Sequence, residues 1–164
     1  MQKRAQMELS FGMIFSIILI IAFITFAFYG IKMFLGVQKS AETGKFLNEF
    51  KADVDRVWKS AQSSERAEYF LPSVVSDVCF VNFASPSRGP TASFYEDLKK
   101  ANYGSENLVF YPLGSFDLDS VEIKNINLDA ITEAENPYCV ENENGKISLV
   151  FVKDLDDALV KIRR

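Results

Sequence analysis

The sequence contains no histidine, so the commonest general base and the commonest transition-metal ligand are both missing. Cysteine occurs only at Cys79 and Cys139. Two thiols without histidine make a poor zinc site, and their spacing fits no metal motif. There is no glycine-rich phosphate loop and no Gly-x-Ser-x-Gly, which takes away the usual signatures of nucleotide-binding enzymes and serine hydrolases. The five prolines and eight glycines are too few for collagen-like or Pro/Gly-rich disordered chains. A net charge of −4 argues against a nucleic-acid binder that works by broad phosphate neutralisation. No Asn-x-Ser/Thr acceptor occurs, so N-glycosylation is not expected. No enzymatic function and no cofactor is expected from this inventory. The carboxylates Asp117/Asp119 and Asp154/Asp156/Asp157 lack calcium-loop spacing and read as charged surface.

Charge is also unevenly spread. Residues 104–160 carry three cations, Lys124, Lys146 and Lys153, against 12 Asp and Glu, whereas Lys3 and Arg4 open the chain and Lys161, Arg163 and Arg164 close it. An acidic outer domain with basic ends fits a protein held at a membrane with its bulk in solvent.

What the chain does have is a long apolar run. Residues 9–31 (LSFGMIFSIILIIAFITFAFYGI) are 23 in number without one charge. As a helix they extend about 35 Å, enough to cross a hydrocarbon core of about 30 Å. Ser10, Ser16 and Thr25 interrupt it with hydroxyls that can bond back to the helix backbone. A cleaved secretory signal would have a shorter apolar region ending in small residues, whereas this run passes through Phe26, Phe28 and Tyr29 into more helix-compatible sequence. Lys3 and Arg4 precede the span, and Lys32, Lys39 and Lys45 follow it, so counting cations leaves the topology open. The acidic domain and both cysteines favour a cytoplasmic N-terminus.

No proline occurs between Met1 and Leu71. Leu47, Phe50, Val54, Val57 and Ala61 recur at alternating spacings of three and four and form an apolar seam, flanked by Phe46 and Trp58. The simplest reading is one helix over about 6–62, apolar all round at first and amphipathic later. Gly30, Gly36 and Gly44 are places for a bend, and two helices joined near Gly36 or Gly44 are the alternative.

Beyond Pro72 the period changes. Residues 74–83 (VVSDVCFVNF), 108–111, 121–126, 138–141 and 147–152 read as strands. Ser93 and Glu96 form a capping box for a short helix over 93–101. Asn144-Gly145 is a hairpin signal, and the tail 154–162 is a last helix or a strand. The expected fold is α+β: a long N-terminal helix packed on an antiparallel sheet of four or five strands. Its segments would be 1–5, 6–64 and 65–164. Cys79 and Cys139 either bridge, if their side of the membrane is oxidising, or stay as buried reduced thiols.

The segment Lys3-Arg4-Ala5-Gln6-Met7-Glu8-Leu9-Ser10-Phe11, leading straight into the apolar run, resembles the class III signal peptide of archaeal type IV pilins. In that family a dedicated leader peptidase cuts a short basic leader before a Gln-led hydrophobic helix, which is retained and packs into a filament core. The resemblance implies cleavage between Ala5 and Gln6, self-assembly through the hydrophobic helix, residence in the bilayer before assembly, and a strand-rich domain displayed outside. It covers about 30 residues. Ala5 stands where glycine is more usual, and Glu8 would be third and Ser10 fifth in the mature chain, the reverse of the common order. Glu8 lies one residue from uninterrupted hydrocarbon, where an unpaired carboxylate is costly. It either faces headgroups and water or pairs with the amine of a neighbouring chain. A filament subunit is therefore the first functional expectation. A monomeric, membrane-anchored surface domain that binds a ligand or partner protein is the second.

Overall fold

The computed structural model describes residues 11–115 and 118–164. The chain divides into two compact units, Met1–Gln38 and Lys39–Arg164. Helix α1, Phe11–Lys59, is unbroken over 49 residues. The glycines at 30, 36 and 44 do not interrupt it. In the first unit every residue from 11 to 38 is exposed.

In the second unit the helical seam is buried as its spacing requires. Phe46, Leu47, Phe50, Val54 and Val57 are all core residues, and Thr43 is buried with them. Phe46 belongs to the seam rather than to its flank. Ala61 does not belong to it: it is exposed and lies beyond the helix end. The reason is local. The Ser60 backbone N–H and hydroxyl both donate to the Val57 carbonyl, at 3.1 and 2.6 Å, and close the helix. The Lys153 ammonium then donates to the carbonyls of Trp58 and Ser60 at 2.6 and 2.8 Å. A cation on the last carbonyls satisfies acceptors that the helix leaves open and opposes the negative end of its dipole. Lys153→Met is expected to cost about 1 kcal/mol, read as a lower denaturation midpoint followed by the fluorescence of Trp58, the sole tryptophan.

Among the described residues seven strands follow, in two antiparallel sheets instead of one. Strands β1 (Ser63–Phe70), β6 (Lys146–Lys153) and β7 (Lys161–Arg163) form a three-stranded sheet in the order β1-β6-β7. Strands β2 (Asp77–Phe80), β3 (Leu108–Tyr111), β4 (Ser120–Val121) and β5 (Tyr138–Glu141) form a four-stranded sheet in the order β4-β3-β2-β5. Strand β1 falls where the sequence suggested a helix end, since only Tyr69 of its eight residues is buried. The tail expected over 154–162 is a turn and bend over 154–159, and only its end enters a short strand, β7.

The Asn144-Gly145 turn forms as expected, with both φ values positive at 55° and 85°, and Glu143 and Lys146 exchange both backbone hydrogen bonds. The strands on either side do not make a hairpin. The 71–76 segment comes between them: the Leu71 N–H donates to the Gly145 carbonyl at 3.0 Å, the Asn142 N–H to the Ser76 carbonyl at 2.7 Å, and the Asn142 side-chain amide to the carbonyls of Pro72 and Val75. β5 thus pairs with β2, while β6 pairs with β1 and β7.

Two other expectations are corrected. The strand expected over 121–126 is only Ser120–Val121; past it the chain is held by the Asn107 side chain, which bonds both the N–H and the carbonyl of Ile123 at 2.8 Å. The helix expected over 93–101 is a 3₁₀ turn, one α-turn (α2, Tyr95–Leu98) and a second 3₁₀ turn, without side-chain capping at any start. The Ser93/Glu96 capping box does not form. A further short helix, α3 (Leu128–Ile131), had no sequence expectation; the Asn127 side chain caps it by accepting from the Ala130 N–H at 3.0 Å.

Aromatic rings join the helix to both sheets. Phe50 has no exposed surface. Its ring lies 5.5 Å from that of Phe151 and 6.0 Å from that of Tyr69 in the three-stranded sheet, and 6.0 Å from that of Phe80 in the other. A smaller core surrounds Cys79 and Cys139, with Val81, Leu98, Ala101 and Val109.

Candidate functional site

The apolar face of the first unit is the dominant surface feature. Over residues 11–37 no large apolar side chain is buried: Phe11 is 83% exposed, Phe23 70%, Phe26 76% and Phe34 69%. A monomer dissolved in water rarely exposes more than a few hundred Å² of contiguous apolar surface, and this helix exceeds that on every side. The polar groups inside the run are satisfied within the helix. The Ser16 hydroxyl donates to the Gly12 carbonyl and the Thr25 hydroxyl to the Ile21 carbonyl, both at 2.8 Å. Nothing lies within 4 Å of a Cβ placed on Gly30 or Gly36. Lys32 is the single charge between residues 11 and 38. This is a candidate membrane span, long and apolar enough to cross a bilayer.

The leader junction Ala5/Gln6 and the acidic residue Glu8 lie outside the described residues, as does Asp117. Of the remaining sequence candidates, Cys79 and Cys139 are brought together. They are facing partners on β2 and β5, and a disulfide joins them. Among the described residues, two of the three carboxylates of the 154–157 turn are taken up internally, and Asp156 is not. Asp157 lies 2.8 Å and Asp154 3.6 Å from the Lys161 ammonium, and Asp119 accepts from the Gly114 N–H at 2.6 Å. Lys161 holds the Asp157 carboxyl below its ordinary pKa, mainly through their hydrogen bond. Among the described residues no group of three or more His, Cys, Asp or Glu is placed to hold a metal ion.

Where α1 ends, ion pairs tie it to β1. Arg56 bonds Glu65 and Asp53 at 2.7 and 2.8 Å, and the hydrogen bond from Arg56 lowers the Glu65 carboxyl pKa. The Tyr69 hydroxyl donates to the second oxygen of Asp53. Burial first, and that bond second, push the phenol pKa well above its usual value.

Sequence reasoning passed over one surface. The three-stranded sheet turns Ala67, Tyr69, Ile147, Leu149, Phe151 and Ile162 to the core side and leaves the alternate residues outward. An open cleft of about 640 Å³ begins on that outward face at Arg66, Glu68 and Lys146 and reaches the β5 edge. The Arg164 guanidinium blocks that edge: it donates to the Cys139 carbonyl at 3.0 Å, pairs with the buried Glu135 carboxylate and stacks on Tyr138. A strand edge capped this way is protected against pairing with another chain. The period-two alternation of 63–70 shows only in its burial, because the segment is polar throughout apart from Ala67, Tyr69 and Phe70. The chain matches no protein-family model, no curated protein and no solved structure.

Proposed function

We propose that the chain is a structural subunit of a type IV pilus-like surface filament, assembled through its N-terminal hydrophobic helix. The observation that carries this reading is the all-round apolar exposure of residues 11–37, within a helix whose later turns are amphipathic and buried on one side. Such a segment needs lipid or other apolar helices on every side. A bilayer serves before assembly, and sister copies of the same helix serve after it. The basic leader and the Ala5-Gln6 junction supply the cue for processing by a leader peptidase. The Cys79–Cys139 disulfide supports placing the strand-rich domain outside, because disulfides persist in oxidising surroundings. The N-terminus is then cytoplasmic before processing. In this reading the protein is not an enzyme and takes no cofactor or nucleic acid.

Intact-mass analysis of the native protein is the test. A chain starting at Gln6 is the expected result. Retention of residues 1–5 would favour the monomeric membrane-anchored domain instead. Glu8 carries the assembly role in this proposal by pairing with the amine of the adjacent subunit. Glu8→Gln should therefore insert into membranes as the parent does but lose filament yield by at least tenfold. Undiminished assembly of the variant, scored by sedimentation, would remove that role.

A further inference from the structure

Resting on the filament reading, we infer that the outward face of the three-stranded sheet is the docking surface for the 154–157 turn of a second copy. The strand register sets two rows across this face. Arg66 stands beside Val150, and Val150 beside Arg163; in the next row Ser64, Val152 and Lys161 are neighbours. Val150 and Val152 are half-buried, while Arg66 and Arg163 are exposed. Neither arginine makes an ion pair among the described residues. Of the outward strand residues Glu68 is the one carboxylate, against Arg66, Lys146 and Arg163, since Lys161 is already paired with Asp154 and Asp157. Asp77, Glu141 and Glu143 line the cleft at the Lys146 end, away from the Val150 row. In a chain of net charge −4, two arginines without ion pairs thus flank Val150 in one row.

The complementary surface lies on the same chain. Between β6 and β7 the Asp157 N–H donates to the Asp154 carbonyl, and the Asp154 N–H to the Asp157 carboxylate, both at 3.0 Å. Lys161 clamps Asp157 from the strand that follows. The turn is thereby fixed, with Leu155 and Asp156 at its tip. Leu155 is 71% exposed between two aspartates, and Asp156 makes no ion pair among the described residues. An apolar tip beside the unpaired Asp156 carboxylate matches an apolar strip between arginines in polarity and charge. Burial of Leu155 on Val150 and Val152 supplies the hydrophobic part, and the arginines fix orientation. The turn leads straight from β6 into β7 and is clamped, so it is held at the end of its own sheet and is offered to another copy. The two patches differ, so the contact is heterologous. Contacts of that kind build an open helical polymer when successive rotations do not close into a ring.

The test uses full-length processed chains under filament-forming conditions. Copies carrying Leu155→Cys are mixed with copies carrying Val150→Cys and treated with a short bis-maleimide, which leaves the native disulfide untouched. Crosslinked dimer is expected in the mixture and not in either variant alone. Arg66→Glu with Arg163→Glu in the Val150→Cys copies should lower the dimer yield tenfold or more, and Asp156→Lys in the Leu155→Cys copies should restore it. Filaments that form without this crosslink, or that crosslink equally in single-variant samples, overturn the docking inference and leave the filament reading standing. Absence of any polymer from the processed parent chain overturns both.

Discussion

Phe50→Ala lowers the stability of the second unit by about 3–5 kcal/mol, the range for removing a fully buried aromatic ring. The expected loss lies at the upper end because of where the ring sits. Phe50 contacts Phe46 on its own helix, Tyr69 and Phe151 in one sheet and Phe80 in the other. Each partner is itself buried to 2% exposure or less. The walls of the resulting cavity belong to four elements, α1, β1, β6 and β2, held by their own backbone bonds, so they collapse poorly, and incomplete collapse is what raises the cost. Edge-on ring contacts add a further share beyond area. Domains of ordinary size are stable by only about 5–15 kcal/mol, so this one change should consume a large part of the margin. Urea denaturation of the full chain in detergent, followed by Trp58 fluorescence, reads it directly. A loss below about 1 kcal/mol would mean that the helix and the two sheets do not share one core.

The second large effect is expected from Cys79→Ala with Cys139→Ala. The bridge closes a loop across a sequence separation of 60 residues, which corresponds to about 4 kcal/mol on the chain-entropy estimate. Its position adds a local consequence. β5 is a four-residue edge strand whose only strand neighbour is β2, and the bridge joins those two. Without it, β5 is retained by backbone pairing and by the Arg164 contacts. Amide exchange in residues 138–141 should therefore accelerate more than exchange in the central strand β6. Equal acceleration throughout would place the effect in the unfolded chain alone. Since the bridge is buried with its neighbours, a reducing agent should act slowly until denaturant opens the fold.

Much of the architecture could be read from residue order because local pattern and tertiary placement agreed there. The 3.6-period seam marked Phe50, Val54 and Val57 as core. The strands at 108–111 and 138–141 stand out as β-branched and aromatic runs bounded by turn residues, and their bounds coincide with β3 and β5. The α+β layout follows from these. What could not be read depended on distant partners. β1 reads SSERAEYF, a polar segment with no apolar alternation; it is a strand because Ser63 to Phe70 pair along their whole length with Lys153 to Lys146. Asn144-Gly145 dictates a tight turn but not which strands continue from it, and the 71–76 segment decides that. The helix end depends on Lys153, a residue 94 positions beyond Lys59 in the chain numbering. For the candidate site, the apolar span was plain from composition, whereas the Arg66–Val150–Arg163 row exists only once β1, β6 and β7 are aligned.

Co-expression of the chain with a leader peptidase of the archaeal pilin class, followed by electron microscopy of the surface material, tests the central claim most directly. Filaments that contain this chain starting at Gln6 are the result the account requires. Correctly trimmed protein that stays monomeric in detergent and in bilayers under every condition tried would contradict it.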